Sequence, residues 1–197
     1  MKYMREFRSH FMRKPAFTAR EAELFLGNRK GSPDYYKLLI HNLLSRREIY
    51  RITRGAYTFQ EDAQMSGFGF SPFYYGLEDA LSLRNVWEQE TNPVVITPRK
   101  VRVGIRQFEG RNFVVRRIDR AMFFGYTFVA YGDFRIPVST VEKTFIDFIY
   151  YKIDLPRELM LAILSKSSRR TINEYLRELP EWLSKKVHGK IEELRSG

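Results

Sequence analysis

Cysteine is absent from this 197-residue chain, and histidine is scarce: His10, His41 and His188 are far apart in the sequence. Without cysteine there can be no disulfide, no thiolate metal site and no cysteine nucleophile. Three scattered histidines give no pattern typical of a metal centre. We therefore expect neither a metal ion nor any other cofactor.

Long apolar runs are also missing. No segment approaches the roughly 20 apolar residues that a transmembrane helix needs, and the start, Met1-Lys2-Tyr3-Met4-Arg5, has no apolar region of the kind found in signal peptides. Hydrophobic residues nevertheless make up 44% of the chain, which is enough for packed cores. These features predict a folded cytoplasmic protein.

Acidic residues are under-represented at the amino-terminal end. Residues 1–60 hold 13 Lys or Arg against five Asp or Glu, a surplus of eight within a whole-chain net charge of +11. The remaining 137 residues hold 21 basic and 18 acidic residues. Basic charge concentrated in one segment is typical of a nucleic-acid-binding module.

The same basic segment has the pattern of a winged helix-turn-helix over residues 18–59. Thr18 and Glu21 have the spacing of a capping box, which starts a helix. Ser32-Pro33-Asp34 predicts the start of a second helix, because Ser is a favourable N-cap and Pro suits the first helical position. Apolar residues then flank Gly55, which predicts a two-stranded hairpin, the wing.

In this motif the second helix enters the major groove, and the wing lies against phosphates. The base-reading candidates lie on the exposed face of that helix: Tyr35, Lys37, His41 and Asn42. The phosphate-binding candidates lie in the preceding turn and in the wing: Arg29, Lys30, Arg51, Thr53 and Arg54. Asn42 suits adenine and Lys37 suits guanine, whereas phosphate contacts fix position without reading sequence.

The chain changes character after the wing. Residues 61–72 are polar and Gly-rich, which predicts a linker. Residues 73–197 contain short β-rich runs followed by helical patterns, with a helical tail over residues 155–197. We expect an α+β fold, in which a winged helix-turn-helix domain of residues 1–60 precedes a mixed α/β domain with a mainly antiparallel sheet.

Two local predictions concern helix starts in this second domain. Ser71-Pro72 repeats the cap pattern and predicts a helix that includes Tyr74, and Ser139 is expected to cap a later helix. In that later helix, Lys143 and Asp147 are spaced as a surface i,i+4 pair. Glu142 and Lys143 diverge by about 100° on a helix, which disfavours a nuclease-type grouping of acid and lysine.

Three parts of the chain are similar to signatures of one known family. They are the run from Pro72 to Leu83 followed by Asn92-Pro93-Val94-Val95-Ile96-Thr97, the run from Ile136 to Asp147, and Arg54-Gly55-Ala56-Tyr57. In this order they resemble the helix-and-strand signature, the later strand-and-helix signature and the wing of the AbiEi family of antitoxins. The resemblance covers roughly residues 15 to 155, although the helix carries Glu78-Asp79 where members more often have small or polar residues.

The resemblance implies a transcriptional repressor that binds double-stranded operator DNA and autoregulates a toxin-antitoxin operon. It also implies a carboxy-terminal domain that counters a nucleotidyltransferase-like toxin. Inverted repeats in the operator and a homodimer on DNA would follow, and no enzymatic activity is expected. The tail after Asp154 has no counterpart in the resemblance.

Two alternatives remain open at the level of sequence. The second domain could be a nuclease-like or other enzyme tethered to DNA, with Glu142 and Asp147 as paired carboxylates, Lys143 beside them and Asp133 nearby. The winged helix could instead be a protein-interaction module that does not bind DNA. Metal-dependent cleavage would favour the first alternative, and the absence of a footprint on operator DNA would favour the second.

Overall fold

The computed structural model describes residues 3–27 and 34–196. The chain forms two compact units, of which the first comprises residues up to Pro72 together with Ile105–Phe113. The second comprises Phe73–Gly104 and the chain from Val114 onward. Both helices and strands contribute substantially, so the predicted α+β class is confirmed.

In the described part of the first unit, three α-helices and one 3₁₀ helix combine with two small groups of strands. Its elements in chain order are α1 (Met4–Phe11), β1 (Phe17–Thr18), α2 (Ala19–Gly27), α3 (Tyr35–Ser45), β2 (Tyr50–Thr53), β3 (Ala56–Thr58), a 3₁₀ helix (Ala63–Phe70), β6 (Gly104–Phe108) and the start of β7 (Arg111–Arg117). Strands β1, β3 and β2 form one antiparallel sheet in that order.

Aromatic rings dominate the core of the first unit. Phe7 and Phe11 lie one helical turn apart on α1 and are almost fully buried, as is Phe17 on β1. The rings of Phe11 and Phe17 have centroids 4.6 Å apart. Leu39 and Leu43 of α3 are fully buried in the same core. Each fully buried side chain of this size contributes roughly 1.5–3 kcal/mol.

The predicted capping box at the start of α2 is confirmed. The Thr18 backbone amide donates to Glu21 Oε2 at 2.7 Å, and the Glu21 amide donates to Thr18 Oγ1 at 3.1 Å. The second predicted helix is present as α3, although Ser32 and Pro33 lie outside the described residues. Gly55 has φ of +80° in the turn between β2 and β3, as expected.

Residues 61–72, for which the sequence predicts a linker, are instead packed into the first unit. The 3₁₀ helix Ala63–Phe70 buries Met65 and Phe70 almost completely. The Asp62 side chain caps its start by accepting a hydrogen bond from the Gln64 amide at 2.8 Å. Gly69 packs closely against Ile52, and the first boundary between the two units falls after Pro72.

The second unit surrounds a sheet with helices. Its elements in chain order are β4 (Tyr74–Tyr75), α4 (Leu77–Leu83), β5 (Val94–Thr97), the remainder of β7, a 3₁₀ turn (Arg120–Met122), β8 (Tyr126–Tyr131), β9 (Phe134–Ser139), α5 (Val141–Tyr150), α6 (Arg157–Ser165), α7 (Arg169–Glu178) and α8 (Glu181–Ser196). Helices α6 to α8 form the helical carboxy-terminal part that the sequence predicts.

The sheet of the second unit has the strand order β7-β5-β4-β9-β8. The longest pairing, β8 with β9, is antiparallel, as is β4 with β5. Two parallel pairings, β4 with β9 and β5 with β7, were not predicted. Helix α5 lies in the centre of the core, where Phe145 and Phe148 are fully buried beside Leu183 and Val187 of α8.

Two predicted helix starts in this unit are wrong by a few residues. Tyr74 and Tyr75 belong to strand β4, because aromatic residues suit a sheet that is buried on both faces, and α4 begins only at Leu77. The cap of α5 is Thr140, whose Oγ1 accepts from the Lys143 amide at 3.2 Å. The Ser139 hydroxyl is buried and pairs with Thr144 Oγ1 at 2.7 Å.

Within residues 3–27 and 34–196, no helix combines the length and apolar character needed to cross a membrane.

The capping box makes a pH-dependent contribution to stability. Partial burial acts to raise the pKa of Glu21, but hydrogen bonds from Thr18 and Lys14 outweigh it and lower the pKa. Glu21→Ala should therefore lower the free energy of unfolding by about 1 kcal/mol at neutral pH. The pKa of Glu21 is lower in the folded protein than in the unfolded chain. The stability difference between the wild type and Glu21→Ala is therefore complete above the unfolded-state pKa, and it disappears as the pH falls through the folded-state pKa.

Urea denaturation of the wild type and of Glu21→Ala, repeated from neutral to acidic pH, measures the difference in their free energies of unfolding. Glu23→Ala is the matched control, since Glu23 is exposed on the same helix and takes no part in the capping box. An equal and pH-independent loss in the two variants would contradict the assignment.

Candidate nucleic-acid interface

The exposed face of α3 carries two of the four predicted base-reading residues without obstruction. Lys37 and His41 are exposed and lie one helical turn apart. Leu38, between them in sequence, is 52% exposed and adds an apolar side chain to the same face. Lys37 Nζ donates to Asp34 Oδ1 at 2.7 Å, and this hydrogen bond raises the pKa of Lys37.

The other two base-reading candidates are less accessible. Asn42 is partly buried at the margin of the exposed face. Tyr35 is directed inward: its ring packs edge-on against Tyr3, with centroids 6.3 Å apart. Its hydroxyl oxygen is buried and has no hydrogen-bond partner among the described residues. Tyr35 therefore does not present its hydroxyl to a base edge, because helical spacing turns it toward the core.

The wing presents two exposed arginines. Arg51 lies on β2 with its guanidinium 5.9 Å from the centre of the Tyr57 ring, and Arg54 lies in the turn. Thr53 is partly buried. The Ala19 amide donates to the Gly55 carbonyl at 2.9 Å, so the turn is tied to the start of α2. This hydrogen bond holds the backbone next to Arg54 at the start of α2.

Arg29 and Lys30, the remaining phosphate-binding candidates, lie outside the described residues. Of the nine predicted site residues, the structure thus places Lys37, His41, Arg51 and Arg54 on the exposed surface of the first unit.

A second hairpin, which the sequence reading missed, lies beside the wing in the first unit. Strands β6 and β7 are joined by Glu109-Gly110, both with positive φ, as in a type I′ turn. Phe108 packs edge-on against Tyr50 of β2, with ring centroids 6.3 Å apart. Phe113 contacts Phe70, with centroids 6.0 Å apart.

The sequence does contain signals for this hairpin. Residues 99–117 hold seven Lys or Arg and a single Glu, a local surplus that averaging over residues 61–197 conceals. The Glu109-Gly110 pair, with Phe108 and Phe113 on either side, fits a two-residue turn between strands. The charge counted over residues 99–117 alone, together with the Glu109-Gly110 turn, therefore predicts the hairpin from sequence.

The predicted surface pair of α5 is in fact buried in the second unit. Lys143 and Asp147 are both fully buried and form an ion pair. Tyr74 completes the cluster: Lys143 Nζ donates to its hydroxyl at 3.0 Å, and the hydroxyl donates to Asp147 Oδ2 at 2.9 Å. The i,i+4 spacing was interpreted correctly as a pair, but α5 is a central helix rather than a surface one.

Burial sets the electrostatics of this cluster. It lowers the pKa of Lys143 and raises the pKa of Asp147, and the attraction between the two groups opposes both shifts. Burial also raises the pKa of Tyr74 strongly, which keeps its hydroxyl protonated as a donor. The Lys143 ammonium lies 5.3 Å from the centres of the Tyr74 and Phe124 rings. All its surroundings are therefore protein.

Glu142, Lys143 and Asp147 do not converge on an open cleft. The Glu142 carboxylate accepts a hydrogen bond from the Ser168 amide at 2.8 Å, at the start of α7. Glu142 thus joins α5 to the start of α7. Among the residues that the structure describes, no group of three or more His, Asp or Glu side chains could hold a metal ion.

No protein-family model matches the chain, and a search of curated proteins found no match.

The buried pair predicts a large stability difference between two variants. Lys143→Met should lower the free energy of unfolding by about 3–5 kcal/mol, because Asp147 is left as an unpaired buried charge. Adding both Asp147→Leu and Tyr74→Phe, which removes all three polar groups of the cluster, should recover most of that loss. Arg170→Met removes an exposed i,i+4 pair with Glu174 and should cost less than about 0.5 kcal/mol. Urea denaturation measures all three.

Equal losses in Lys143→Met and Arg170→Met would contradict the burial of the pair.

Proposed function

We propose that the chain is a DNA-binding transcriptional repressor whose first unit is a winged helix-turn-helix that contacts double-stranded operator DNA. The observation that supports the proposal is that α3 and the β2–β3 wing both present exposed cationic side chains. Winged helix-turn-helix proteins direct these two elements at the major groove and at the adjacent phosphates. Lys37, His41 and Asn42 are the proposed base-reading residues. Arg51 and Arg54 are the proposed phosphate contacts in the wing.

Charge supports the same proposal. The first unit holds 15 Lys or Arg against eight Asp or Glu, a net charge of +7 in its 81 residues. The second unit holds 19 against 15, a net charge of +4 in 116 residues. Neutralisation of phosphates by Lys and Arg drives most non-specific DNA binding. The higher density of positive charge in the first unit therefore favours that unit as the one that binds DNA.

The proposed biological context is autoregulation of a toxin-antitoxin operon in a cytoplasmic setting. It rests on the resemblance of the wing, of the segment 72–97 and of the segment 136–147 to AbiEi antitoxins. On this proposal the second unit counters a nucleotidyltransferase-like toxin, and a homodimer binds inverted repeats. No catalytic role is proposed for Glu142, Lys143 and Asp147, because the ion pair is buried and Glu142 holds the start of α7.

The proposal predicts a salt-dependent complex with DNA from upstream of the chain's own gene. If five phosphates are neutralised, log affinity should fall with log salt concentration at a slope of about −4.5. Arg54→Ala should make that slope shallower by about 0.9 on every sequence. Asn42→Ala should cost about 1–3 kcal/mol on the specific site and much less on random DNA. Fluorescence anisotropy across a salt series measures these quantities.

Arg177→Ala is the charge-matched control, because Arg177 is exposed on α7 of the second unit. Binding that ignores ionic strength, or equal effects of Arg54→Ala and Arg177→Ala, would argue against DNA recognition by the first unit. Footprinting of the upstream DNA tests the repressor role, and protected inverted repeats are the expected result.

A further inference from the structure

Strand β8 forms one edge of the sheet of the second unit, and its outer side has no partner strand among the described residues. Its six residues, Tyr126–Tyr131, include no charged residue, no proline and no glycine. The strand pairs with β9 in a regular register over its whole length, without a bulge. Proteins usually protect an exposed edge with charges, proline or a bulge. A strand edge that carries none of these is suited to pairing with another strand.

The direction of each backbone group of β8 follows from its pairing with β9. In an antiparallel pair, residues that bond to the partner strand alternate with residues whose backbone groups face away from it. Phe128 lies opposite Pro137, which has no amide hydrogen to donate. The Phe128 carbonyl instead accepts a hydrogen bond from the Arg135 side chain at 3.0 Å. The backbone groups of Phe128 therefore face away from β9, as do those of Tyr126 and Ala130 by alternation.

A backbone hydrogen bond at the start of the strand supports the same alternation. The Thr140 amide donates to the Gly125 carbonyl at 2.8 Å, which continues the β8–β9 ladder by one residue. Gly125 thus bonds toward β9, and Tyr126 next to it faces away. The Phe128 carbonyl has a second lone pair, so it can accept an incoming amide besides Arg135.

The side chains along the outer edge leave it accessible. Phe128 is 55% exposed, and Thr127 and Ala130 are exposed as well. Phe128 and Ala130 lie on one face of the sheet and Thr127 on the other, because side chains alternate along a strand. An incoming strand would therefore meet uncharged side chains on both faces of the sheet.

We infer that β8 pairs with β8 of a second copy of this chain, antiparallel and about a twofold axis at Phe128. In this register Phe128 lies opposite its own counterpart, and Tyr126 lies opposite Ala130 of the second copy. Every residue that faces away from β9 thus meets another such residue, so all the outward backbone groups can form hydrogen bonds. The two sheets join into one continuous sheet across the interface.

Charge and symmetry favour a second copy as the occupant of this edge. Two Phe128 rings meet on one face of the joined sheet, and Thr127 lies opposite Val129 on the other. Each chain has a net charge of +11, but strand β8 carries none of it, so the pairing brings no like charges opposite each other. An isologous interface uses the same surface twice, and β8 is complementary to itself in this register.

The inference deepens the proposed function and rests on it for the role of the dimer, since a twofold-symmetric repressor matches inverted repeats. The pairing itself rests on the geometry of β8. It assigns the contact between the two copies to the second unit, whereas the proposed DNA contacts belong to the first.

Introduced cysteines test the register. The chain has no cysteine of its own, so a single thiol reports the pairing alone. Residues of a hydrogen-bonded antiparallel pair have Cα atoms about 5.5 Å apart, which a disulfide can span. Phe128→Cys should therefore give a disulfide-linked dimer under mild oxidation. Equal or greater cross-linking of Ala130→Cys would overturn the inference, because exposed Ala130 lies about 13 Å along the strand from its counterpart, beyond disulfide reach.

Sedimentation equilibrium of the full chain without DNA, at concentrations up to about 0.1 mM, should show a monomer–dimer equilibrium. Phe128→Lys should raise the dissociation constant about tenfold, since it removes the ring contact and places two ammonium groups opposite each other. Val103→Lys is the matched control, because Val103 is also 55% exposed in the second unit but lies outside β8. It should leave the dissociation constant unchanged, and thermal unfolding confirms that both variants are folded.

The outcomes distinguish this interface from the proposed function. The β8 interface is overturned and the repressor proposal stands if the chain remains monomeric and Phe128→Cys does not cross-link, with or without the upstream duplex, while Arg54→Ala still weakens DNA binding. A dimer that Phe128→Lys and Val103→Lys weaken equally would also overturn the interface. If the chain dimerises through β8 but binds no duplex, the interface stands and the repressor proposal is overturned.

Discussion

The close approach of the 3₁₀ helix to strand β2 is the constraint on which the exposed surface of the first unit depends. Gly69 leaves no room for a side chain against Ile52, and this contact places Phe70 where the second hairpin packs on it. The glycine is needed because any Cβ would have to displace a β2 side chain. One tight contact thus fixes two hairpins beside each other, and both carry exposed arginine.

The second unit depends on a different kind of constraint, a buried ion pair within one helix. Lys143 and Asp147 lose their hydration completely, and Tyr74 supplies the additional hydrogen bonds that make such burial tolerable. Because Tyr74 belongs to β4 and the pair to α5, the cluster also specifies how this helix sits on the sheet. An apolar triad of similar volume could pack as well, but the polar one also requires its three members to meet in hydrogen-bonding geometry.

Sequence patterns that involve only neighbouring residues predict much of this fold. The capping box of Thr18 and Glu21, the turn at Gly55 and the helical tail could all be read from neighbouring residues, since their causes lie within a few positions. The burial of Lys143 could not, because it depends on Tyr74, some 70 residues away in the sequence. Likewise Gly69 is typical of a linker until its packing partner Ile52 is known. In the candidate site, the exposure of Lys37 and His41 on α3 is predictable from helical spacing, and that of Arg54 from the turn at Gly55. Residues 99–117 contain local signals for the second hairpin, but its packing against Tyr50 and Phe70 depends on the tertiary structure.

The exposed ion pair between Asp34 and Lys37 bears on the proposed base contacts of α3. Lys37 Nζ lies 2.7 Å from Asp34 Oδ1, so the ammonium is already paired in the free protein. On the proposed function, a contact between Lys37 and guanine would require the release of Lys37 from Asp34. The same contact would then have to recover the free energy of an exposed ion pair, which is small because solvent screens both partners.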